Sequence, residues 1–222
     1  MISRILVLLG VFILGSAGAL RAQETAQDRA RAALTPETFR GIEALAVAAG
    51  LDGLPVDPLY NKALEGVAKR VPQERLLPAV TAYAGRLREA RGAFGPTSTG
   101  PLLVAGADAI QRGVGVDALR TLGRNEGRSP MAVLVLADLV ETGVPADRAL
   151  EVLDEAMHQR AEGEAMLGIP GRVRMLMRQG QSPHEAAEQV RRGMQRGRGG
   201  GVTPPVPPGS EPATNARRGG GA

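Results

Sequence analysis

The side chains best placed for chemistry are two aspartates, Asp108 and Asp138, at matching positions in two otherwise apolar segments 30 residues apart. A carboxylate that is shielded from water has a raised pKa and can act as a general acid or base. An aspartate in such a segment more often lies at the edge of a polar strip or accepts hydrogen bonds from a neighbouring helix start. Asp108 and Asp138 are therefore the candidate catalytic residues, although we expect the structural role.

Sequence signatures of nucleophilic catalysis are absent. The chain has no cysteine, no Gly-x-Ser-x-Gly turn and no Ser-x-x-Lys pair. Four serines lie where a hydroxyl serves as a helix cap or in loops and the C-terminal segment: Ser98, Ser129, Ser182 and Ser210. Gly113-Val114-Gly115 resembles the start of a dinucleotide-binding loop, but no strand precedes it and the third glycine is missing. The sequence predicts neither an enzyme nor a cofactor.

The sequence does not predict a metal site either. The two histidines, His158 and His184, do not lie at a metal-ligand spacing. Met157 adjoins His158, and further methionines follow it: Met166, Met175, Met177 and Met194. Thioether ligands suit copper, but methionine also fills irregular gaps in a core that has few aromatic residues. We favour the packing role and expect no bound metal.

Positive charge is concentrated near the C-terminal end. The chain has 27 Lys and Arg against 23 Asp and Glu, a net charge of +4. Residues 23–190 hold 19 basic and 22 acidic side chains, whereas residues 191–222 hold six arginines and one glutamate. Because the folded part is mildly acidic and only 2% of the chain is aromatic, it offers no stacking platform for bases. Nucleic acid is therefore not an expected partner.

From residue 196 onward, Gly, Pro and Arg dominate, and this composition predicts a disordered tail. The run from Pro204 to Pro208 favours polyproline II. The tail arginines are candidates for binding an anionic envelope surface: Arg196, Arg198, Arg217 and Arg218. The alternative is a solubilising linker whose arginines reflect the codon bias of a GC-rich genome.

The N-terminus has the layout of a secretory signal peptide. Arg4 precedes an apolar run over residues 5–15 and a small-residue stretch over 16–19. Cleavage after Ala22 is the boundary that we favour, with Ala19 as the alternative. An uncleaved membrane anchor is the other interpretation, but the apolar run is shorter than the ~20 residues that a spanning helix needs. We expect an exported protein, periplasmic or secreted.

Apolar periodicity is helical along most of the remaining chain. Between Pro145 and Arg160 one apolar stripe opposes a charged face; its members are Ala146, Ala149, Leu150, Leu153 and Met157. The continuous apolar run 131–136 could instead form a buried strand. A helix is favoured there, because Ser129-Pro130 forms a cap and a first turn and no second strand is available for pairing.

Helix boundaries share a pattern of an apolar residue, Pro or Gly, any residue and an acid. It occurs at 54–57, 71–74, 114–117 and 144–147, with a variant at 182–185. In three cases a glycine comes first: Gly53, Gly113 and Gly143. The glycine closes one helix in the left-handed conformation, and the apolar residue folds back onto it. Proline then begins the next helix, whose free amides face the acid. The pattern therefore predicts tight helix corners.

These features predict an all-α fold, either an irregular helical bundle or a short helix-hairpin array of about eight or nine helices. Residues 107–117 and 137–147 repeat, but the corners are too irregularly spaced for a solenoid of fixed period. The predicted organisation is a signal peptide (1–22), an N-terminal lead segment (23–35), an all-helical domain (36–195) and a disordered tail (196–222).

One stretch resembles a known group of proteins. Lys62-Ala63-Leu64-Glu65-Gly66-Val67-Ala68-Lys69 and then Val71-Pro72-Gln73-Glu74-Arg75 are similar to a family of uncharacterised exported helical proteins from bacteria with GC-rich genomes. The similarity covers roughly residues 40–190. Neither an activity nor a fold is established for that family, so the resemblance does not extend to function.

For function, we expect a non-enzymatic helical interaction module of the cell envelope that holds an as yet unidentified protein partner. The alternative is an envelope-surface binding protein that uses its arginine-rich tail. A third hypothesis is an enzyme that uses Asp108 and Asp138.

Overall fold

The computed structural model describes residues 24–124 and 129–197, which form ten α-helices and no strand. The helices are α1 (Ala26–Ala33), α2 (Pro36–Leu51), α3 (Asp57–Ala68), α4 (Gln73–Phe94), α5 (Gly100–Gln111), α6 (Val116–Arg124), α7 (Pro130–Glu141), α8 (Ala146–His158), α9 (Glu164–Arg178) and α10 (Pro183–Gly197). The prediction of an all-α fold is confirmed. The eight or nine helices expected are exceeded partly because the lead segment contains α1, whose Ala30 is fully buried.

Both predicted terminal segments lie mainly outside the described residues. The segment predicted to be a signal peptide precedes them, and the predicted tail follows them from residue 198, whereas residues 196–197 belong to the last turn of α10. Among the helices of 24–124 and 129–197, none has the length and apolarity that a membrane crossing requires.

The predicted helix corners form. Gly53, Gly113 and Gly143 have φ angles of 69°, 93° and 96°, in the left-handed region. The backbone N–H of Val144 then donates to the carbonyl oxygen of Leu139 at 3.0 Å, and the Val144 side chain is buried. This bond and the buried valine close the last turn of α7 in the way expected of a glycine corner.

Two further corners have arginine at the left-handed position, where φ is 57° at Arg70 and 54° at Arg160. A side chain strains this conformation, whereas glycine adopts it freely. We expect Gly143→Ala to lower the free energy of unfolding by about 1 kcal/mol, and Arg70→Gly to raise it by about 0.5 kcal/mol. Chemical denaturation measures both, and changes of the same sign would contradict this account.

The apolar run 131–136 lies inside α7, so the helix interpretation is confirmed. The Ser129 hydroxyl accepts a hydrogen bond from the backbone N–H of Ala132 at 3.1 Å, and Pro130 occupies the first helical position. The cap and the first-turn proline thus begin α7 as the sequence indicates.

Three corner prolines differ from the prediction. Pro55 lies one residue before Val56, the N-cap of α3. Pro72 and Pro145 are the N-cap residues of α4 and α8, with φ near −55° and ψ of 140°, so each helix begins one residue later than expected. The reason is that an N-cap N–H makes no intrahelical bond, so proline loses nothing there. The acids Glu74 and Asp147 still lie in the first turn, where the helix dipole favours them.

The helices form two layers. In one, α1 packs on α3, α5 on α7 and α7 on α9; in the other, α2 packs on α4, α4 on α6, α6 on α8 and α8 on α10. Consecutive helices join the layers, with α3 against α4, α4 against α5, α7 against α8 and α9 against α10. This is the helix-hairpin array of the two alternatives, stacked as in a solenoid although its units are unequal in length.

Phe94, at the end of α4, holds three helices together and is only 1% exposed. A Cβ atom at Gly106 of α5 would lie 2.8 Å from Phe94 Cε2 and 2.8 Å from Ala90 Cβ. A Cβ atom at Gly123 of α6 would lie 3.0 Å from Phe94 Cδ1. The ring therefore fills space that two glycines leave open.

Candidate functional site

The outward side of the odd-numbered helices repeats from one helix to the next. In α7 the exposed or half-buried residues follow one helical stripe: Met131, Leu134, Asp138 and Glu141. The counterparts in α5 are Pro101, Val104, Asp108 and Gln111, and those in α3 are Pro58, Asn61, Glu65 and Ala68. We call these three stripes together the odd-helix face.

Side-chain interactions fix the alignment of these helices. Arg112, just after the end of α5, binds Asp138 and Glu141 in the last turns of α7. Charges on Lys62 and Glu65 of α3 act on Asp108 of α5. The C-terminal halves of α5 and α7 therefore lie side by side. The C-terminal half of α3 is near enough to α5 for its charges to act on Asp108, and the three helices run in the same direction.

Two cavities lie at the N-terminal end of the face, one mostly apolar and one with a mixed lining. One, of about 460 Å³, lies between the starts of α3 and α5 and is lined by Pro58, Pro101 and Val104 among others. The other, of about 620 Å³, is lined by Met131, Ala132, Met157, Ala161 and Met166, with Ser129, Arg160, Glu162 and Gly163 completing its wall. We call the second one the methionine pocket. Both volumes are in the range of small-ligand pockets.

The methionine pocket brings together residues that the sequence analysis considered as copper ligands. Met157 and Met166 meet there, joined by Met131, which the sequence analysis did not include. The adjoining His158 makes a 2.8 Å hydrogen bond from Nδ1 to the Asp154 carbonyl oxygen. Across the described residues, no group of three or more His, Cys, Asp or Glu side chains is arranged to hold a metal ion.

The other methionines have different surroundings. Met166 is buried, and Met177 and Met194 pack against the core, as the packing role predicts. Met175 is 45% exposed on α9, so it does not fill a core gap.

The C-terminal half of the face is acidic, and Asp108 lies in its middle. Burial raises the pKa of Asp108, and the charge of Glu65 adds to this effect. The charge of Lys62 opposes this rise in the pKa without reversing it, and Lys62 and Lys69 both bind Glu65, at 2.8 Å and 2.5 Å. Hydrogen bonds from these lysines hold the pKa of Glu65 down to about 2. The Asp108 carboxylate makes no hydrogen bond or ion pair with another described residue, although the Asp108 carbonyl oxygen accepts the N–H of Arg112 at 3.1 Å.

Tyr83 of α4 lies beneath this acidic half. Its ring is within 6 Å of two cations, Lys62 Nζ at 5.8 Å and the Arg86 guanidinium at 5.7 Å. Burial, reinforced by the charge of Asp108, raises the pKa of the Tyr83 phenol to about 12. The phenol therefore stays protonated at neutral pH and cannot act as a base there.

Asp138 has the opposite environment to Asp108. The Arg112 guanidinium bonds it directly and also bonds Glu141. Asp138 is not among the charges that act on Asp108, so the two aspartates do not form the close carboxylate pair that shares a proton in acid–base catalysis. Both aspartates are half-buried on the outward side of their helices.

The two matching aspartates should respond oppositely to substitution by asparagine. Since the pKa of Asp108 is raised on folding, its ionisation costs stability above about pH 3.8. Asp108→Asn should raise the free energy of unfolding at pH 7 by about 0.5 kcal/mol, and this gain should vanish below pH 3.8. Asp138→Asn should lower it by about 0.5–1 kcal/mol, because Arg112 loses a partner. Denaturation at pH 7 and pH 3 tests both, and a loss at pH 7 in both variants would refute the assignment.

Only one of the four candidate tail arginines lies within the described residues. Arg196 is exposed in the last turn of α10, whereas Arg198, Arg217 and Arg218 lie outside the described residues. The odd-helix face itself was missed in the sequence. The sequence feature that could have revealed this face is the 30-residue repeat. At the same offset, Val104 matches Leu134 and Pro101 matches Met131, so apolar residues recur on the N-terminal side of the two aspartates.

Comparison with known proteins returned no relative. No family model matches the chain, and neither a curated protein nor a solved structure is significantly similar to it.

Proposed function

We propose that the protein is a non-enzymatic interaction module of the cell envelope whose odd-helix face holds an extended segment of a partner protein. The observation that carries the proposal is the pair of cavities at the same end of parallel helices, beside a row of acids. Two separate cavities that can each take a side chain, with carboxylates beside them, suit an extended peptide segment better than a compact small molecule. The placement in the envelope rests on the N-terminal layout of the sequence.

Leu134 lies between the two halves of the face and is 42% exposed. It follows Met131 by one turn toward Asp138, so it connects the methionine pocket with the acidic half. An exposed leucine in this position becomes buried when a chain lies across the helices. Burial of such a side chain stabilises a complex by about 1.5–3 kcal/mol.

The acidic row determines the chemistry of the partner. Glu65, Asp108, Asp138 and Glu141 follow each other across three helices, and all of them except Asp108 are paired with Lys62, Lys69 or Arg112. A bound segment should therefore carry a basic residue opposite Asp108, beside its apolar residues. Such complementarity raises the association rate and selects against acidic partners. Stacked helical hairpins in solenoid proteins provide extended binding surfaces of this kind.

The test is a selection of linear peptides from a random displayed library against the protein, followed by measured affinities. Apolar and basic residues should be enriched in the selected peptides. Leu134→Arg should weaken their binding at least tenfold, about 1.4 kcal/mol, since it places a cation against basic residues in the middle of the face.

Leu51→Arg is the matched control. Leu51 of α2 is 86% exposed and lies outside the odd-helix face, so this variant should bind as the unchanged protein does. Equal losses in the two variants, or selected peptides that are acidic, would eliminate this function.

A further inference from the structure

The outer side of α9 exposes two large apolar side chains. Leu167 is 54% exposed and Met175 is 45% exposed. Gly168 and Gly171 lie between them, and no neighbouring heavy atom is within 4 Å of a Cβ atom placed on either glycine. Because Leu167, Gly171 and Met175 follow each other at intervals of four residues, they lie along one side of the helix. We call these four residues the α9 strip.

Three arginines flank the α9 strip. Arg174 and Arg178 follow one edge of it and Arg172 follows the other, and all three are exposed. Through its side chain, none of them forms an ion pair or a hydrogen bond with another residue of 24–124 or 129–197. Elsewhere arginines bind acids of the same chain, as Arg112 and Arg148 do. The three guanidinium groups of α9 are therefore available to an anion outside the chain.

The positive charge of α9 is part of a wider difference between the two ends of the helical array. Residues 164–197 hold six arginines and three glutamates, whereas residues 24–163 hold 16 basic and 19 acidic side chains. Within α9 the only acid is Glu164, in the first turn, where the helix dipole favours it. The last helical hairpin therefore attracts anionic surfaces at low and moderate salt.

The position of α9 leaves this side accessible. It is the last odd-numbered helix of the described residues, and it packs on α7 and α10. Its 15 residues are about 22 Å long, so one side of it is well below the roughly 800 Å² per partner of a typical stable protein interface. A bilayer sets no such minimum, because each arginine near an anionic surface and each inserted apolar side chain adds to the binding.

We propose that the outer side of α9 binds the surface of a bilayer that contains anionic phospholipids. Leu167 and Met175 enter the boundary between headgroups and acyl chains, and the flanking guanidinium groups bind lipid phosphates. The aliphatic stems of the arginines lie along the apolar boundary while their charged ends stay at the headgroups. The α9 strip is separate from the odd-helix face, so this binding goes beyond the proposed function and does not depend on it.

The test uses fluorescence, because the chain contains no tryptophan. Leu167→Trp and Leu134→Trp are made separately in the protein that begins at Gln23, which retains all ten helices. Each is mixed with vesicles of phosphatidylglycerol and phosphatidylcholine, with and without brominated acyl chains. The emission of Leu167→Trp should shift to the blue and be quenched by bromine, whereas that of Leu134→Trp should not. Vesicles of phosphatidylcholine alone should affect neither variant.

Charge reversal tests the arginines. Arg174→Glu combined with Arg178→Glu should weaken binding to the anionic vesicles at least about tenfold in cosedimentation at low salt. Arg29→Glu combined with Arg75→Glu is the matched control, since these two arginines are also exposed and lie in α1 and α4. The control makes the same change in net charge and should bind nearly as tightly as the unchanged protein. Residues 198–222 are the same in both variants.

Two outcomes would overturn the proposal. Equal weakening by the two double variants would show that binding follows net charge or the arginines after residue 197. Absence of bromine quenching in Leu167→Trp would show that α9 does not enter the bilayer, and an acidic protein would then be the partner of the α9 strip. The peptide selection for the odd-helix face contains no lipid, so either proposal can fail while the other stands.

Discussion

Phe94→Ala is expected to lower the free energy of unfolding by about 3–5 kcal/mol. The ring is 1% exposed and fills the space between two glycines, so removing it leaves a cavity that α5 and α6 cannot close without moving. The stability of a domain of this size is about 5–15 kcal/mol, so the variant should be only marginally folded at 37 °C. Urea denaturation at 25 °C measures the change.

Leu51→Ala is the control for this prediction, because Leu51 is 86% exposed. Its free energy of unfolding should change by less than about 0.5 kcal/mol. A loss below about 1 kcal/mol for Phe94→Ala would show that α4, α5 and α6 do not meet at this ring.

Gly106→Ala should cost about 1–3 kcal/mol, although alanine is the better helix former. The added methyl would lie 2.8 Å from Ala90 Cβ, which has no rotamer to move aside, so α4 and α5 must separate. Gly92→Ala in α4 is the matched control, since no heavy atom lies within 4 Å of its added methyl.

The control should instead stabilise the protein by about 0.5–1 kcal/mol, the difference between glycine and alanine within a helix. The two variants make the same chemical change in neighbouring helices. Opposite signs in urea denaturation would therefore isolate helix packing from helix propensity, whereas stabilisation by both would contradict the close approach of α4 and α5.

The corners were predictable because their physics is local. The left-handed glycine, the apolar residue after it and the acid in the next turn are all contiguous in sequence, and Gly143-Val144 behaves as that logic requires. The helix at 131–136 was predictable for the same reason, since its cap at Ser129 adjoins it.

The buried stripe of α8 shows where local reasoning becomes inaccurate. The expected stripe included Ala146, Leu150 and Met157, which are half-buried. The buried residues are Ala149, Val152, Leu153 and Ala156. The stripe is rotated because α8 packs on both α7 and α10, and the sequence of one helix does not specify two neighbours.

The fates of Asp108 and Asp138 could not be predicted from their matching sequences. The two aspartates differ in the cations that the neighbouring odd-numbered helix supplies. Asp138 of α7 is bound by Arg112, which follows α5. The lysines of α3, the helix before α5 in this layer, are bound to Glu65. The methionine pocket was equally hidden, because Met131, Met157 and Met166 come from three helices. Such arrangements depend on how the helices stack, and the sequence pattern of a single helix does not determine that.

The central claim is that partners bind across the odd-helix face, and site-specific photo-crosslinking in cells of the native host tests it most directly. A photoreactive residue is placed at position 134 of the full-length protein, and in a second strain at position 51. We expect one discrete adduct from position 134 that is lost on Asp138→Arg, and none from position 51. An adduct from position 51 with none from position 134 would contradict it.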